Sequence, residues 1–327
     1  MLDEINLMDW PNIYELIATS YFHSWKSMLN IPWFGRFTLT IEGKILAKLF
    51  CKKYIIKIVS NEGVNYYLNN KLHRDDGPAV EMINGINKWY INGQLHREDG
   101  PAVESSNGDK EWWMNGKRHR IDGPAIKHSY VSKEWYQNGE LYRLNGSAIE
   151  ESSGTKKWYQ NDQLHRTDGP AIEWTSGTKE WYINGKLHRE DGPAFIHFYG
   201  TKKWYINGNL HRTDGPAIEE DDGSKEWWIN GKLHRDDGPA ILSFFNHRKW
   251  YKNGSLHRED GPAIIRSDGS NEYYLNGRLH RDDGPAVTDF DGTKKWYKDG
   301  ELHRIDGPAV TYSDGRCMWY NNGLRQY

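Results

Sequence analysis

The sequence is short of aliphatic side chains. Only 37% of its 327 residues are hydrophobic, and the mean hydropathy is −0.89, too polar for one large aliphatic core. Long apolar runs are missing as well: no stretch of 18 residues could span a bilayer, and the acidic opening MLDEINLMDW lacks the basic region and apolar run of a secretory leader. The two cysteines, Cys51 and Cys317, sit in unlike contexts and give neither a disulfide framework nor a metal spacing. Charge of one sign is lacking too. The 43 basic and 45 acidic residues interleave to a net −2, with no basic stripe that argues for nucleic acid and no polybasic run for a membrane surface. These absences point to an intracellular, cytoplasmic protein.

Aromatic rings are abundant, with 16 Trp and 20 Tyr, and they recur in register with turn signals, which argues against disorder. The stretch Lys179 to Ala194, KEWYINGKLHREDGPA, is one version of a unit that fills the chain after residue 65. Its His falls at 73, 96, 119, 165, 188, 211, 234, 257, 280 and 303, every step a multiple of 23 residues, and Tyr142 fills the one gap. Eleven copies without an insertion mean that each packs on its neighbours and cannot change length.

Asn-Gly, as at Asn92-Gly93, Asn184-Gly185 and Asn276-Gly277, predicts a two-residue type I′ hairpin in each copy. A second Gly 12 residues after the His position marks the turn into the next copy, replaced by Val131 and Asn246 in two copies. Two turns predict two strands per copy. Counting outward from Asn184-Gly185 sets Ile183 against Lys186, Tyr182 against Leu187 and Trp181 against His188. The Tyr/Leu side is the expected face of continuous burial. The Trp/His side is the candidate binding face, carried by Trp89, Trp112, Trp135, Trp158, Trp181, Trp204, Trp227, Trp250 and Trp296 with His96, His188, His211 and His257. Asp-Gly-Pro-Ala (Asp191 to Ala194) should kink the longer strand, with Gly as a bulge and Ala leaving room for a ring.

The segment 1–60 differs in kind. Asp9-Trp10-Pro11 reads as a helix start and predicts a helix over 11–29; Thr40 caps a second over 40–52, and Tyr54 to Val59 reads as the first strand. The expected architecture is mainly β: an elongated array of antiparallel hairpins over 61–327, with a truncated final half-repeat and a small helical module in front. That module serves as a cap for the open end of the array or as a recruitment module. In the second case it resembles an F-box, with Trp10-Pro11 where that family opens Leu-Pro, and the resemblance implies docking to a ubiquitin-ligase adaptor.

Residues 65 to 327 resemble the MORN family on the segment YINGKLHR (Tyr182 to Arg189) and a Gly-containing turn such as Asp268-Gly269. Arg189 stands where that family has Gly, and Asp-Gly-Pro-Ala replaces Gly-x-Gly. The chain is thereby similar to the MORN-variant repeats numerous in giant DNA viruses, which would place it in a host cytoplasm. The resemblance implies a single-layer sheet used for protein association or membrane apposition, with no activity of its own.

Several motifs point to chemistry and are weaker than they look. His73-Arg74-Asp75, His234-Arg235-Asp236 and His280-Arg281-Asp282 spell a kinase catalytic triplet without a Gly-rich loop or Asp-Phe-Gly. His188 and Asp191 form an incomplete metal set copied ten times over, and an Arg-Asp ladder explains the same residues. Acids at Asp221-Asp222 and Asp289 to Asp291 suggest calcium only in some copies. No cofactor is expected. An active site needs one position unlike the rest, so an enzyme is the weakest class. A protein-binding scaffold is the leading one; a carbohydrate or choline binder with stacking rings is the alternative. The fourth copy, with Tyr142, Leu144, Asn145 and Ser147, departs from the pattern by drift, or marks a bend or a partner contact.

Overall fold

The computed structural model describes residues 4–5, 36–39 and 55–326, which form strands and turns with no helix among them. The two helices expected over 11–29 and 40–52 lie outside the described residues. Among the described residues no helix is long and apolar enough to cross a membrane. The chain divides into two compact units, Met1–Gln163 and Leu164–Tyr327.

The first unit opens with β1 (Glu4–Ile5) and β2 (Arg36–Leu39) in parallel, β2 parallel to β3 (Ile56–Ser60), and β3 antiparallel to β4 (Gly63–Leu68). The expected first strand is thus present, ending one residue later than predicted. The pair Arg36–Leu39 and Glu4–Ile5 was not foreseen, because neither segment carries a strand pattern long enough to read. From β4 onward the antiparallel repeats follow in each unit.

Ten of the eleven copies hold four short strands, where two were expected; in the first, β4 runs unbroken through Tyr66 and the copy has three. In the sixth copy they are Lys179–Glu180, Tyr182–Ile183, Lys186–Leu187 and Phe195–Ile196. The cause lies at Trp181, where the chain changes partners. Before it, Glu180 pairs with Phe195; after it, Tyr182 pairs with Leu187. Trp181 itself bonds to both sides, its N–H donating to Ala194 O (2.7 Å) and its C=O accepting from His188 N–H (3.0 Å). The first and last strands of each copy build the main sheet, in which Lys179–Glu180 also pairs with Ile172–Glu173 of the preceding copy. The middle two form a separate Asn-Gly hairpin.

The predicted hairpin register holds: Ile183 faces Lys186 and Tyr182 faces Leu187. So does the turn chemistry. Asn184 and Gly185 have φ of 49° and 72°, both in the left-handed region that a type I′ turn requires and that Asn and Gly tolerate best. At the inter-copy turn Asn246 adopts φ 61° in place of Gly. Hairpins stack through backbone bonds, Gly208 N–H to Leu187 O (2.8 Å) and Arg189 N–H to Tyr205 O (3.1 Å).

The core corrects one expectation. Tyr182 and Leu187 are only half-buried, as are their counterparts, whereas the Ala that ends Asp-Gly-Pro-Ala, or Asn-Gly-Ser-Ala in the fourth copy, is 0% exposed in all eleven copies from Ala79 to Ala309. Beside it lie Ile126, Ile172, Ile218, Ile264, Val287 and Val310, all buried. Two-residue strands are too short to shelter a large ring completely. The tightest packing falls where the side chain is smallest and backbones approach closest.

Candidate functional site

The site is the side of each unit that carries the Trp rings. Its basic element is a stack of Trp, Arg and Gly. Arg189 lays its guanidinium over Trp181, 4.3 Å from the ring centroid, and Nε donates to Asp191 at 2.8 Å. A Cβ built on Gly192 would meet Arg189 Cζ at 3.1 Å. Glycine is therefore needed here for the close approach of the guanidinium, and Gly192 lies in a bend between the paired strands, not in a bulge of one as expected. The same stack forms on Trp89, Trp112, Trp135, Trp204, Trp227, Trp250 and Trp296 at 3.9–4.2 Å. Trp158 is half-buried like the others. The expected Arg-Asp pairing is thus real, but it lies within one copy and does not run between copies.

At Asp99, Asp191, Asp237 and Asp283 the neighbouring Arg holds the carboxyl well below the usual carboxylate range, chiefly by the hydrogen bond and then by its charge. Where a Glu stands seven residues after the Arg, it takes a second bond: Arg166 to Glu173 at 3.0 Å and Arg212 to Glu219 at 3.1 Å.

The histidines tie one copy to the next. Nδ1 of His188 accepts the backbone N–H of Asn207, in the following Asn-Gly turn, at 3.1 Å. His96, His211 and His257 do the same with Asn115, Asn230 and Asn276, each at 3.1 Å, and His73, His119, His165, His234, His280 and His303 repeat the contact. In His96, His165 and His188, Nδ1 also lies 2.9–3.1 Å from the Asn side-chain oxygen. A backbone N–H can only donate, so Nδ1 is the acceptor and the proton sits on Nε2; turning the Asn amide over supplies a second donor. His280 differs, with Asp299 at 3.0 Å from Nδ1 and Asp282 at 3.4 Å from Nε2. This linking role was not legible in the sequence, where His was paired only with Trp of its own copy.

Neighbouring loops enclose grooves of ≈ 590, ≈ 620 and ≈ 690 Å³. The first is lined by Arg166, Asp168, Trp181, His188, Arg189 and Glu190. Of the Trp and His residues singled out by sequence, Trp89 with His96, Trp181 with His188 and Trp250 with His257 therefore meet at grooves, but one ring face of each of these Trp is covered by Arg and each Nδ1 is occupied. His188 and Asp191 do not converge on a common point, since their bonds run to Asn207 and Arg189. The acids at the inter-copy turns hold those turns: Asp222, Asp268 and Asp291 accept the N–H two residues on at 2.7–2.9 Å.

The fourth copy compensates for its substitutions. Arg143 still covers Trp135 at 3.9 Å and, with Asn145 in place of Asp, bonds Glu150 at 2.6 Å. Where His is lost, Asp162 of the next turn accepts Leu141 N–H instead. Arg118, the one departure from Leu, lies between Trp113 and Tyr136 at 5.1 and 5.3 Å, its buried Nε without a hydrogen-bond partner.

Charges that alternate along the sequence separate in space. In the pairs Lys179-Glu180 and Lys225-Glu226, consecutive residues face opposite sides of the sheet. The Glu turns to the Tyr/Leu side, where it accepts from Tyr182 Oη (2.9 Å) and Trp228 Nε1 (2.8 Å). Tyr274, bonded in this way to Glu272, has its hydroxyl pushed up to about 12, mainly by burial. The Lys turns to the Trp side and stays exposed. A basic stripe that the interleaved sequence hid is thereby present. A second hidden regularity is a doubled period: exposed Phe198, Phe244 and Phe290 stand 46 residues apart, as do Asp222, Asp268 and Asp314 on the alternate turns. Comparing next-nearest copies would have revealed it.

No protein-family model matches this chain, and neither does any curated protein.

Proposed function

We propose that the chain is a MORN-like, non-enzymatic repeat scaffold that binds a protein partner along the grooved Trp/Arg side of its hairpins. The observation that carries this reading is the commitment of the reactive groups. In copy after copy the His ring accepts a turn N–H, the Arg covers a Trp and the first Gly makes room for it. What faces outward is a repeated groove rimmed by exposed carboxylates such as Glu98, Glu190 and Glu259. Repeated shallow grooves suit an extended protein surface, with affinity summed over stations. The Arg cover also counts against sugar stacking on the Trp faces. On this reading the protein works in the cytoplasm, of a host cell if its source is a virus, and segment 1–60 caps the array or, if F-box-like, recruits a ligase adaptor.

The test is affinity capture with the full chain beside E98W/E190W/E259W, in which a bulky ring fills each of the three grooves that these residues line. A protein held by the native chain and released by the variant is the expected result. Retention by both, or no protein partner together with glycan binding on an array, would contradict the reading.

A further inference from the structure

The basic stripe of the second unit stands on the main sheet, one cation in each copy from Lys179 through Lys202 and Lys225 to Arg248 and again at Lys294, all exposed, with Asn271 interrupting the row between the last two. Among the described residues Lys179, Lys202, Lys225 and Lys294 have no ion-pair partner. The acids directly across the ladder from these cations are already engaged. Glu173, directly across the ladder from Lys179, is held by Arg166, and Glu219, across from Lys202 and Lys225, by Arg212. In the other copies the cross-strand neighbours are Ile196, Leu242, Ile265, Thr288 and Thr311. Because Glu173 and Glu219 reach the Arg residues of the groove loops, this stripe lies on the Trp side.

We propose that this stripe is the docking track for an acidic, extended polypeptide with a carboxylate at every third residue. The inference rests on the scaffold reading and names the partner's chemistry. Charge complementarity supplies the sign: a row of cations whose cross-strand counter-charges, Glu173 and Glu219, are spent on Arg166 and Arg212. Spacing supplies the conformation. From Lys179 to Arg248 one cation per copy means one per two strands, ~9.6 Å at the usual ~4.8 Å between strands. A polyproline II chain advances ~9.3 Å in three residues and returns to the same face, so carboxylates at i, i+3 and i+6 meet successive cations. Nucleic acid backbones carry phosphates at closer intervals and fit the row less well. Ile196, Leu242 and Ile265 give the peptide apolar ground between the charges, and Phe198, Phe244 and Phe290 flank the row at every second copy.

The experiment titrates the full chain with a labelled (Glu-Pro-Pro) repeat peptide, a peptide of identical composition with its glutamates in adjacent pairs, and an oligothymidylate of equal charge. Exposed charge pairs contribute a few-fold each, so K179Q/K202Q/K225Q/K294Q should weaken the period-three peptide by ~10-fold, while K186Q/K232Q, on the hairpins, should leave it unchanged. Far-UV circular dichroism of both variants should match the native chain. The proposal is overturned if the paired peptide binds as well, if the fourfold variant binds undiminished, or if the oligothymidylate binds more tightly than the peptide. No peptide binding, with a partner still captured and still released by the groove variant, removes this inference and leaves the scaffold intact.

Discussion

At the residue scale, the smallest side chains decide the most. Gly192 leaves the space that Arg189 fills above Trp181, and Ala194 occupies the tightest point of the copy. Gly192→Ala should push the guanidinium from the ring and cost about 1 kcal/mol, the worth of an exposed to half-exposed cation–π contact. Arg189→Ala should cost a similar amount, and the two together little more than either alone. A denaturant-melt double-mutant cycle that came out additive would show that the stack is not a unit. The Asp residues make a second prediction. Their folded-state pKa values are lowered by Arg, so their contribution is fully present above the ordinary carboxylate value of about 4. It fades as pH falls from there through the folded value, because the unfolded chain takes up protons first. The melting temperature should therefore drop steeply below about pH 4; Asp168→Asn, Asp191→Asn and Asp214→Asn together should flatten that drop, and an unaltered slope would place the acid sensitivity elsewhere.

At the scale of the element, the hairpin was readable because its turn is written in two residues whose backbone demands are unlike those of any others. Asn184-Gly185 fixed both the turn and the register of Tyr182 with Leu187. The break at Trp181 was not readable: an aromatic in a β-rich run looks the same whether the strand continues or changes partners, and the difference lies in the Ala194 and His188 backbones, 13 and 7 residues away. The sorting of Lys179 from Glu180 was implicit in strand alternation, and the even charge count concealed it. The fourth copy tests whether these elements are interchangeable. Tyr142→His, Asn145→Asp and Ser147→Pro together should give the Asn161 N–H an acceptor and Arg143 its usual partner, raising stability by about 1–2 kcal/mol. Unchanged or lower melting would show that Asp162 and Glu150 already compensate in full.

At the scale of the whole molecule, a strict 23-residue period makes each copy's stability depend on its neighbours. That period was the clearest message in the sequence, since an insertion anywhere would misalign the Trp, His and turn positions that meet across copies. The doubled period was written there as well, in Phe198, Phe244 and Phe290, but it emerges only when next-nearest copies, and not neighbours, are compared. The link that makes an array out of hairpins is the His of one copy accepting the turn N–H of the next. Nitrogen-15 NMR of the ten repeat imidazoles examines that link without altering the chain. With His280 set apart for its two carboxylates, the other nine should show the Nε2–H tautomer, with Nδ1 unprotonated and hydrogen-bonded to the following turn. Freely exchanging tautomers, or protons resting on Nδ1, would mean that the copies are not joined in this way.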